Sequence, residues 1–310
     1  MNQLIERTGI ILLTAFFPLF FVGIINRVKA RWAGKKGPSV FQPFFDVARL
    51  LKKGAVVSTT SSFILAMAPS VSLAAVLCAA AVVPAGVFPS IISFKGDFIF
   101  FSAMFGLSKY LMILNAMDTG SSFEGMGASR EASFTALVEP SFYLILASIA
   151  YLSGYTSLSG ILTLFNAQGS WSVILIMLTA TALFIMLLLE GCRVPVDDPT
   201  THLELTMIHE VMALDNSGPD LAFITYTAGL KLYLVAAIIA SLIVPAGLSF
   251  ALGTALFAAI VIGLAILTGI VESLRPRLRM IHVPEVSLLM LSVALLICAG
   301  IIIYRNGVTQ

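Results

Sequence analysis

One short segment, 190–210, is dense in residues able to do acid–base chemistry, in a chain that is otherwise largely apolar. The ionisable residues of this segment are Glu190, Arg193, Asp197, Asp198, His202, Glu204, His209 and Glu210. A charged group at the centre of a membrane helix costs at least about 2.5–3.5 kcal/mol. Histidine titrates near neutral pH, and a carboxyl group in a poorly hydrated cavity has a raised pKa, so such groups can pass protons along. The segment therefore predicts a proton relay.

Asp198 followed by Pro199 is typical of a helix start, because the carboxylate caps free N–H groups and proline fits the first turn. We expect a helix from Asp198 to about Leu214, ended by the turn residues 215–219. Glu204 points nearly opposite to the face that carries the histidines. The titratable residues expected on that shared face are Asp198, His202 and His209.

Other chemistries fit the sequence less well. His202 and His209 are about 10 Å apart along a helix and do not form H-E-x-x-H, so we expect no metal site. The three cysteines form no C-x-x-C pair, so we expect no cofactor held by this chain alone. No nucleophile elbow, dinucleotide fingerprint or Walker pattern is present. A structural loop in which Glu190 lies near Arg193 stays open as the alternative to a relay.

Composition indicates a polytopic membrane protein. The chain has 310 residues, of which 59% are hydrophobic and 11% charged, against about 25% charged residues in a soluble domain. Stretches of about 20 apolar residues predict about eight spans in an all-α fold, and we expect residues 1–310 to form a single transmembrane domain. The predicted spans are Gly9–Asn26, Phe63–Val87, Phe98–Met117, Thr135–Gly154, Trp171–Leu189, Leu221–Val244, Ser249–Ser273 and Val286–Tyr304.

Basic residues indicate the orientation. The loops after spans one, three, five and seven hold 13 of the 18 Lys and Arg residues. By the positive-inside rule these loops face the cytoplasm, and both termini lie outside a bacterial or archaeal cytoplasmic membrane. The formal net charge of +2 gives no indication of nucleic-acid binding.

The first inner loop is basic and contains an amphipathic helix that begins near Pro43 and lies along the membrane surface. We expect its basic residues either to dock a partner protein or to anchor the loop at the lipid headgroups. The candidate docking residues, including one from the third loop, are Arg27, Lys29, Arg31, Lys35, Lys36 and Arg130.

Lys109 and Lys231 lie roughly midway along their spans, where a lysine cannot reach the interface by extending its side chain. We therefore expect both to face the bundle interior, with Glu139 and Glu272 as possible partners. Together with Asp118 and the ionisable residues of 190–210, Lys109, Glu139 and Lys231 form the candidate ion-coupling set.

Two stretches resemble the signatures of subunit 1 of respiratory complex I and its relatives in membrane-bound nickel–iron hydrogenases, the formate hydrogenlyase subunit 4 group. The first is Lys36-Gly37-Pro38 followed by Gln42-Pro43. The second is Glu190-x-x-Arg193-x-Pro195-x-Asp197, extended by Glu204-Leu205. Asp118-Thr119-Gly120 and Gly127-Ala128-Ser129-Arg130-Glu131 are similar to the hydrogenase branch. Departures at Val196, Thr200 and His202 from the quinone-reactive pattern favour that branch as well.

The resemblance implies a non-catalytic membrane subunit that links a hydrogenase-type hydrophilic arm to proton- or sodium-translocating subunits. The implied partners are a hydrogenase-like large subunit, an iron–sulfur small subunit, antiporter-like membrane subunits and membrane lipids. Iron–sulfur clusters and a nickel–iron site would belong to those partner subunits. Two alternatives stay open: a quinone-binding subunit of an NADH-quinone oxidoreductase-type complex, and a stand-alone secondary transporter.

Overall fold

The computed structural model describes residues 2–86, 88–163, 170–191, 193–194, 197, 207–245, 247–275, 278 and 282–308. These residues form ten α-helices and one short 3-10 helix, Glu210–Ala213. The α-helices are α1 (Asn2–Trp32), α2 (Gln42–Leu51), α3 (Phe63–Val82), α4 (Asp97–Asp118), α5 (Ser122–Ser153), α6 (Leu158–Thr163), α7 (Ser170–Glu190), α8 (Gly218–Ile243), α9 (Phe250–Leu274) and α10 (Val283–Val308).

Eight of these helices are long and apolar enough to cross a membrane, which confirms the predicted polytopic all-α fold. They are α1, α3, α4, α5, α7, α8, α9 and α10. The short helix α2 confirms the predicted amphipathic helix, with a proline in its first turn. Stacking of Phe16 on Phe44, with ring centroids 6.2 Å apart, holds α2 against α1.

The structure differs from the predicted spans most at α5, which begins at Ser122 and not near Thr135. Its 32 residues extend about 48 Å, well beyond the about 30 Å hydrocarbon core of a bilayer. The hydropathy criterion placed the start late because Glu124 and Glu131 lower the local average. Both side chains are buried within the protein, however, so the helix continues through them.

The predicted helix from Asp198 to about Leu214 is wrong in the part that the structure describes. Residues 207–209 are not helical, and the following turn is the 3-10 helix. The Asp197 carboxylate accepts hydrogen bonds from the N–H groups of Ile208 (2.9 Å) and His209 (3.2 Å), which fixes a bend there. Residues 198–206 lie outside the described residues.

Helix α8 forms the centre of the bundle. Its most apolar window is 83% buried, whereas those of the other spans are 22–50% buried. Pro18 of α1 has no N–H and therefore leaves the Thr14 carbonyl without its helical donor. The Tyr226 hydroxyl of α8 lies 3.2 Å from that carbonyl oxygen and donates to it. Helix α8 thus supplies the donor that the Thr14 carbonyl lacks, and this hydrogen bond holds α8 against α1.

Close approach of backbones at Gly23 of α1 gives a test of the packing around the first inner loop. A Cβ atom built at Gly23 would lie 1.9 Å from the Val40 carbonyl oxygen, so Gly23→Ala must displace backbone. We expect it to lower the free energy of unfolding by about 1–3 kcal/mol, measured by denaturant titration in mixed micelles. Gly263→Ala is the matched control, because a Cβ atom there meets open space. Equal stability of the two variants would contradict the packing.

Candidate functional site

A buried ionic cluster joins the three helices α4, α5 and α7. Lys109 of α4 lies with its Nζ 2.8 Å from Glu190 Oε1 and 3.3 Å from Glu131 Oε1. The ammonium group also donates to the Thr135 hydroxyl at 3.3 Å. All three charged side chains are buried. We call Lys109, Glu131 and Glu190 the Lys109 cluster.

The helices place these groups together for simple geometric reasons. Glu131 and Thr135 are one turn apart on α5 and so share the face that meets α4. Glu190 is the last residue of α7, where the chain leaves the span.

Lys231 of α8 lies on the other side of the same cavity. Its Nζ is 5.7 Å from the centroid of the Phe105 ring, within the range of a cation–π interaction. The cavity that Lys109, Glu131, Glu190, His209 and Lys231 share measures about 20 Å³. That is enough for one water molecule. Two lysines and two glutamates thus line one small cavity together with His209.

A second ionic cluster lies at the C-terminal end of α9. Glu272 Oε2 is 2.8 Å from Lys29 Nζ, and Glu272 Oε1 is 3.6 Å from Arg193 Nη1. The Glu272 side chain is fully buried. The cluster therefore ties α1, α9 and the segment after α7 together.

These contacts decide between the expected pairings. Lys109 and Lys231 face the bundle interior, as the sequence predicts. Glu272, a possible partner for them, pairs with Lys29 and Arg193 instead. The recorded ion pairs join Glu190 to Lys109 and Arg193 to Glu272, so the structural alternative of a Glu190–Arg193 pair is not what the structure shows.

Glu139 lies two helical turns beyond Glu131 on α5 and is half-buried. Its carboxylate packs where Gly106 of α4 has no side chain: a Cβ atom there would lie 3.2 Å from Glu139 Oε1. Glu139, Lys109 and Thr135 line an open groove of about 330 Å³ between α4 and α5. The groove connects the Lys109 cluster with the lateral surface of the bundle.

Other candidate residues lie apart from the cluster. Asp118 caps α3, because its carboxylate accepts hydrogen bonds from the Ser62 N–H (2.8 Å) and hydroxyl (2.6 Å) and the Leu65 N–H (3.1 Å). Asp197 holds the bend before the 3-10 helix. Glu210 is exposed. The candidates outside the described residues are Asp198, His202 and Glu204.

The candidate docking residues divide into two groups. Two of them make contacts within the chain: Lys29 pairs with Glu272, and Arg130 Nη1 donates to the Met207 carbonyl at 2.9 Å. Arg27 is partly exposed. The exposed residues among these candidates are Arg31, Lys35 and Lys36.

Sequence reasoning did not include Glu131 or Thr135 in its candidate set, and it named Glu272 only as a possible partner of Lys109 and Lys231. A signal for the first two exists, since Glu131, Thr135 and Glu139 recur every four residues and so lie along one side of a helix. That spacing is informative only once α5 is known to begin before Glu131. No comparable pattern marks Glu272, which follows a long apolar run.

Comparisons with known proteins agree with this architecture. The chain is 30% identical over 237 residues to Hydrogenase-4 component C of Escherichia coli (strain K12), covering 76% of this chain and 74% of that protein. It is 27% identical over 295 residues to Formate hydrogenlyase subunit 4 of the same organism, covering 93% and 94%. A subunit of the NADH-quinone oxidoreductase of Anaplasma marginale is 28% identical over 62% of this chain and 60% of that protein.

A chain of the membrane-bound sulfane sulfur reductase, an archaeal respiratory membrane complex, has the same fold, with a TM-score of 0.82. The alignment covers 97% of this chain and 100% of that one at 18% identity. The resemblance to the hydrogenase branch and the predicted role as a membrane subunit of a complex I-like assembly are confirmed by the sequence relatives and the family match. The family model described as NADH dehydrogenase matches residues 5–303, and the chain belongs to that family.

Proposed function

We propose that this chain couples chemistry in a hydrophilic arm to ion movement within the membrane part of a hydrogenase-type assembly. The observation that carries the proposal is the bridge that Lys109 makes between Glu131 and Glu190. Buried ionisable groups that contact one another across helices are typical of proton relays. When one of the two carboxylates takes up a proton, Lys109 is drawn to the other, so the charge on Glu190 sets the field at Glu131.

The proposed path begins at His209 and Glu190, next to the segment after α7. It continues through Lys109 and Glu131 to Glu139 and the groove between α4 and α5. The contacts along it are the two ion pairs of Lys109 and the lysine's hydrogen bond to Thr135. Lys231 balances the charge of the cavity from α8.

The proposed partners follow from the two ends of this path. The exposed basic residues of the first inner loop would seat a hydrogenase-like large subunit and an iron–sulfur small subunit, which would hold any iron–sulfur clusters and nickel–iron site. Antiporter-like subunits would cover the groove at Glu139. We propose a bacterial or archaeal cytoplasmic membrane, with both termini outside.

Neutralising Glu139 tests the proposal. In the intact complex reconstituted into liposomes and driven by H2 or, separately, by formate, Glu139→Gln is expected to lower ion uptake per turnover at least about tenfold. Uptake is read from an entrapped pH indicator, with and without Na⁺, and assembly from the mass of the purified complex. The matched control is Glu285→Gln, which changes an exposed acid paired with His282. Normal uptake by an assembled Glu139→Gln complex would refute the coupling role.

One observation favours quinone binding as a second candidate function. A cavity of about 270 Å³ lies between α1 and α8 beside Arg193, with Asn26 and Gly229 in its wall. This is just below the usual size of small-molecule sites. A photoreactive short-chain quinone should then label peptides from α1 or α8 of the complex, and labelling elsewhere would dismiss the candidate. A stand-alone transporter has no support among the relatives, which are named as components or subunits.

A further inference from the structure

A separate set of buried polar side chains, Asn115, Thr119, Glu124 and Asn216, lies near the point where α4 ends and α5 begins. Glu124, in the first turn of α5, is fully buried, and its Oε1 accepts a hydrogen bond from the Asp215 N–H at 2.9 Å. The Thr119 hydroxyl lies beside the same carboxylate and donates to the Ala116 carbonyl at 2.9 Å. Asn115 lies one turn before Thr119 on the same face of α4. We call this set the Glu124 pocket.

Several atoms of the Glu124 pocket are buried without a hydrogen-bond partner among the described residues. They are the second carboxylate oxygen of Glu124 and both the oxygen and the nitrogen of the Asn115 and Asn216 side chains. Asn115 is 0% and Asn216 is 5% exposed. Leaving a buried polar atom unpaired costs about 1–3 kcal/mol each. Such a group of unpaired atoms therefore indicates a bound ligand.

The kind of unpaired atom identifies the ligand. The two amide nitrogens need acceptors, and the three oxygens need donors. A metal cation would satisfy only the oxygens, and an anion only the nitrogens. Water both donates and accepts, so a small group of water molecules satisfies every atom.

The Glu124 pocket and the Lys109 cluster lie along the same face of α5. Glu124 and Glu131 are seven residues apart on α5, which places them on one face about 10 Å apart. Between them, Ala116, Ala128 and Met212 form a small buried apolar contact. Met212 also lines the cavity beside Lys109. A narrow apolar contact of this kind excludes water and so blocks proton movement while it is closed.

We propose that the Glu124 pocket holds ordered water and is the inner-side proton inlet of the Lys109 cluster, closed by Met212 in this structure. A proton from the inner aqueous phase binds Glu124 Oε2, which becomes a neutral carboxyl group. When Met212 moves aside, the proton passes through water to Glu131, and Glu124 returns to its anionic form. This inference rests on the proposed function for the role of the cluster, but not for the water in the pocket.

The contacts around Met212 link its position to the protonation state of Glu124. The 3-10 helix that carries Met212 packs directly on Gly127 of α5, where a Cβ atom would lie 3.0 Å from Met212 Cγ. Its far end is held by the hydrogen bond from the Asp215 N–H to Glu124. Protonation of Glu124 weakens this bond, because a neutral carboxyl oxygen accepts less strongly than a carboxylate. The inlet residue therefore also holds the element that closes the inlet.

A high-resolution cryo-electron microscopy map of the intact complex tests the water directly. We expect water density within hydrogen-bonding distance of Glu124 Oε2 and of the Asn115 and Asn216 amides. A pocket without density, or one filled by a partner side chain, would overturn the inference whatever the ion-uptake measurements give.

Proton uptake by reconstituted complexes tests the inlet. Glu124→Gln keeps an oxygen for the Asp215 N–H but cannot ionise, so uptake per turnover should fall at least about tenfold. Asn115→Leu, which makes the pocket apolar at similar volume, should slow uptake similarly, whereas Asn115→Ser keeps a polar group and should retain most of it. Glu285→Gln is the control, and the mass of each complex checks assembly.

The outcomes separate the two proposals. If Glu139→Gln impairs uptake and Glu124→Gln does not, the inlet is wrong and the proposed function stands. If neither variant impairs uptake, the coupling role fails as well. Uptake that is confined to Na⁺ would also overturn a proton inlet.

Discussion

Lys109→Met is expected to lower the free energy of unfolding by about 3–5 kcal/mol, because it leaves the Glu131 and Glu190 carboxylates buried without their cation. Both acids lie within 3.3 Å of the ammonium group, and neither side chain is more than 9% exposed. Denaturant titration in mixed micelles measures the change. Lys95→Met is the matched control, since Lys95 is exposed, and it should change stability little.

A triple variant separates stability from coupling. Lys109→Met combined with Glu131→Gln and Glu190→Gln removes the cation and both acids, so no buried charge is left unpaired. We expect most of the lost stability to return, because replacing a whole buried ion cluster by neutral groups is often close to neutral. Ion uptake by the complex should stay absent. Recovery of uptake by the triple variant would contradict a relay through these residues.

The second large effect is expected at Glu272. Glu272→Gln removes the negative charge that Lys29 and Arg193 share, and Arg193 is itself buried. We expect a loss of about 3 kcal/mol in the free energy of unfolding. Faster amide hydrogen exchange is expected in the peptide that contains Arg193 and Asp197, because that segment loses its tie to α9.

Asp46→Asn provides the comparison for Glu272→Gln. Asp46 pairs with Arg49 at 3.7 Å, and both side chains are largely exposed. Such surface pairs contribute about 0–1 kcal/mol, so the variant should be nearly as stable as the parent. If Glu272→Gln behaves in the same way, the second ionic cluster does not hold the segment after α7.

The sequence predicts the spans and the amphipathic helix because both depend on local properties. A run of about 20 apolar residues is long enough to cross a bilayer whatever its neighbours are, and a proline followed by apolar residues at helical spacing is sufficient for α2. The interior position of Lys109 and Lys231 follows in the same way, since the cost of a charge in lipid does not depend on the identity of its partner.

The sequence does not predict which charges pair, because the pairing depends on how each helix is rotated against the others. Glu272 is an acid that could have paired with Lys231, but the packing of α1 on α9 brings Lys29 to it. The sequence did not indicate a buried role for Glu131, because an acid next to the end of a predicted span is typical of the membrane–water boundary. Its burial against Lys109 makes it part of the bundle. Asp118 shows the converse, an acid that caps a neighbouring helix.

The two ionic clusters are attached to the same short piece of chain. Glu190 is tied to Lys109 toward α4 and α5, and Arg193, three residues later, is tied to Glu272 toward α1 and α9. The end of α7 is thus held by an ion pair on each side. Any displacement of this segment therefore strains both ion pairs at the same time. Displacement of the end of α7 should accordingly be cooperative. Both ion pairs, and the helices on the two sides of the bundle that they hold, should shift together rather than one after the other.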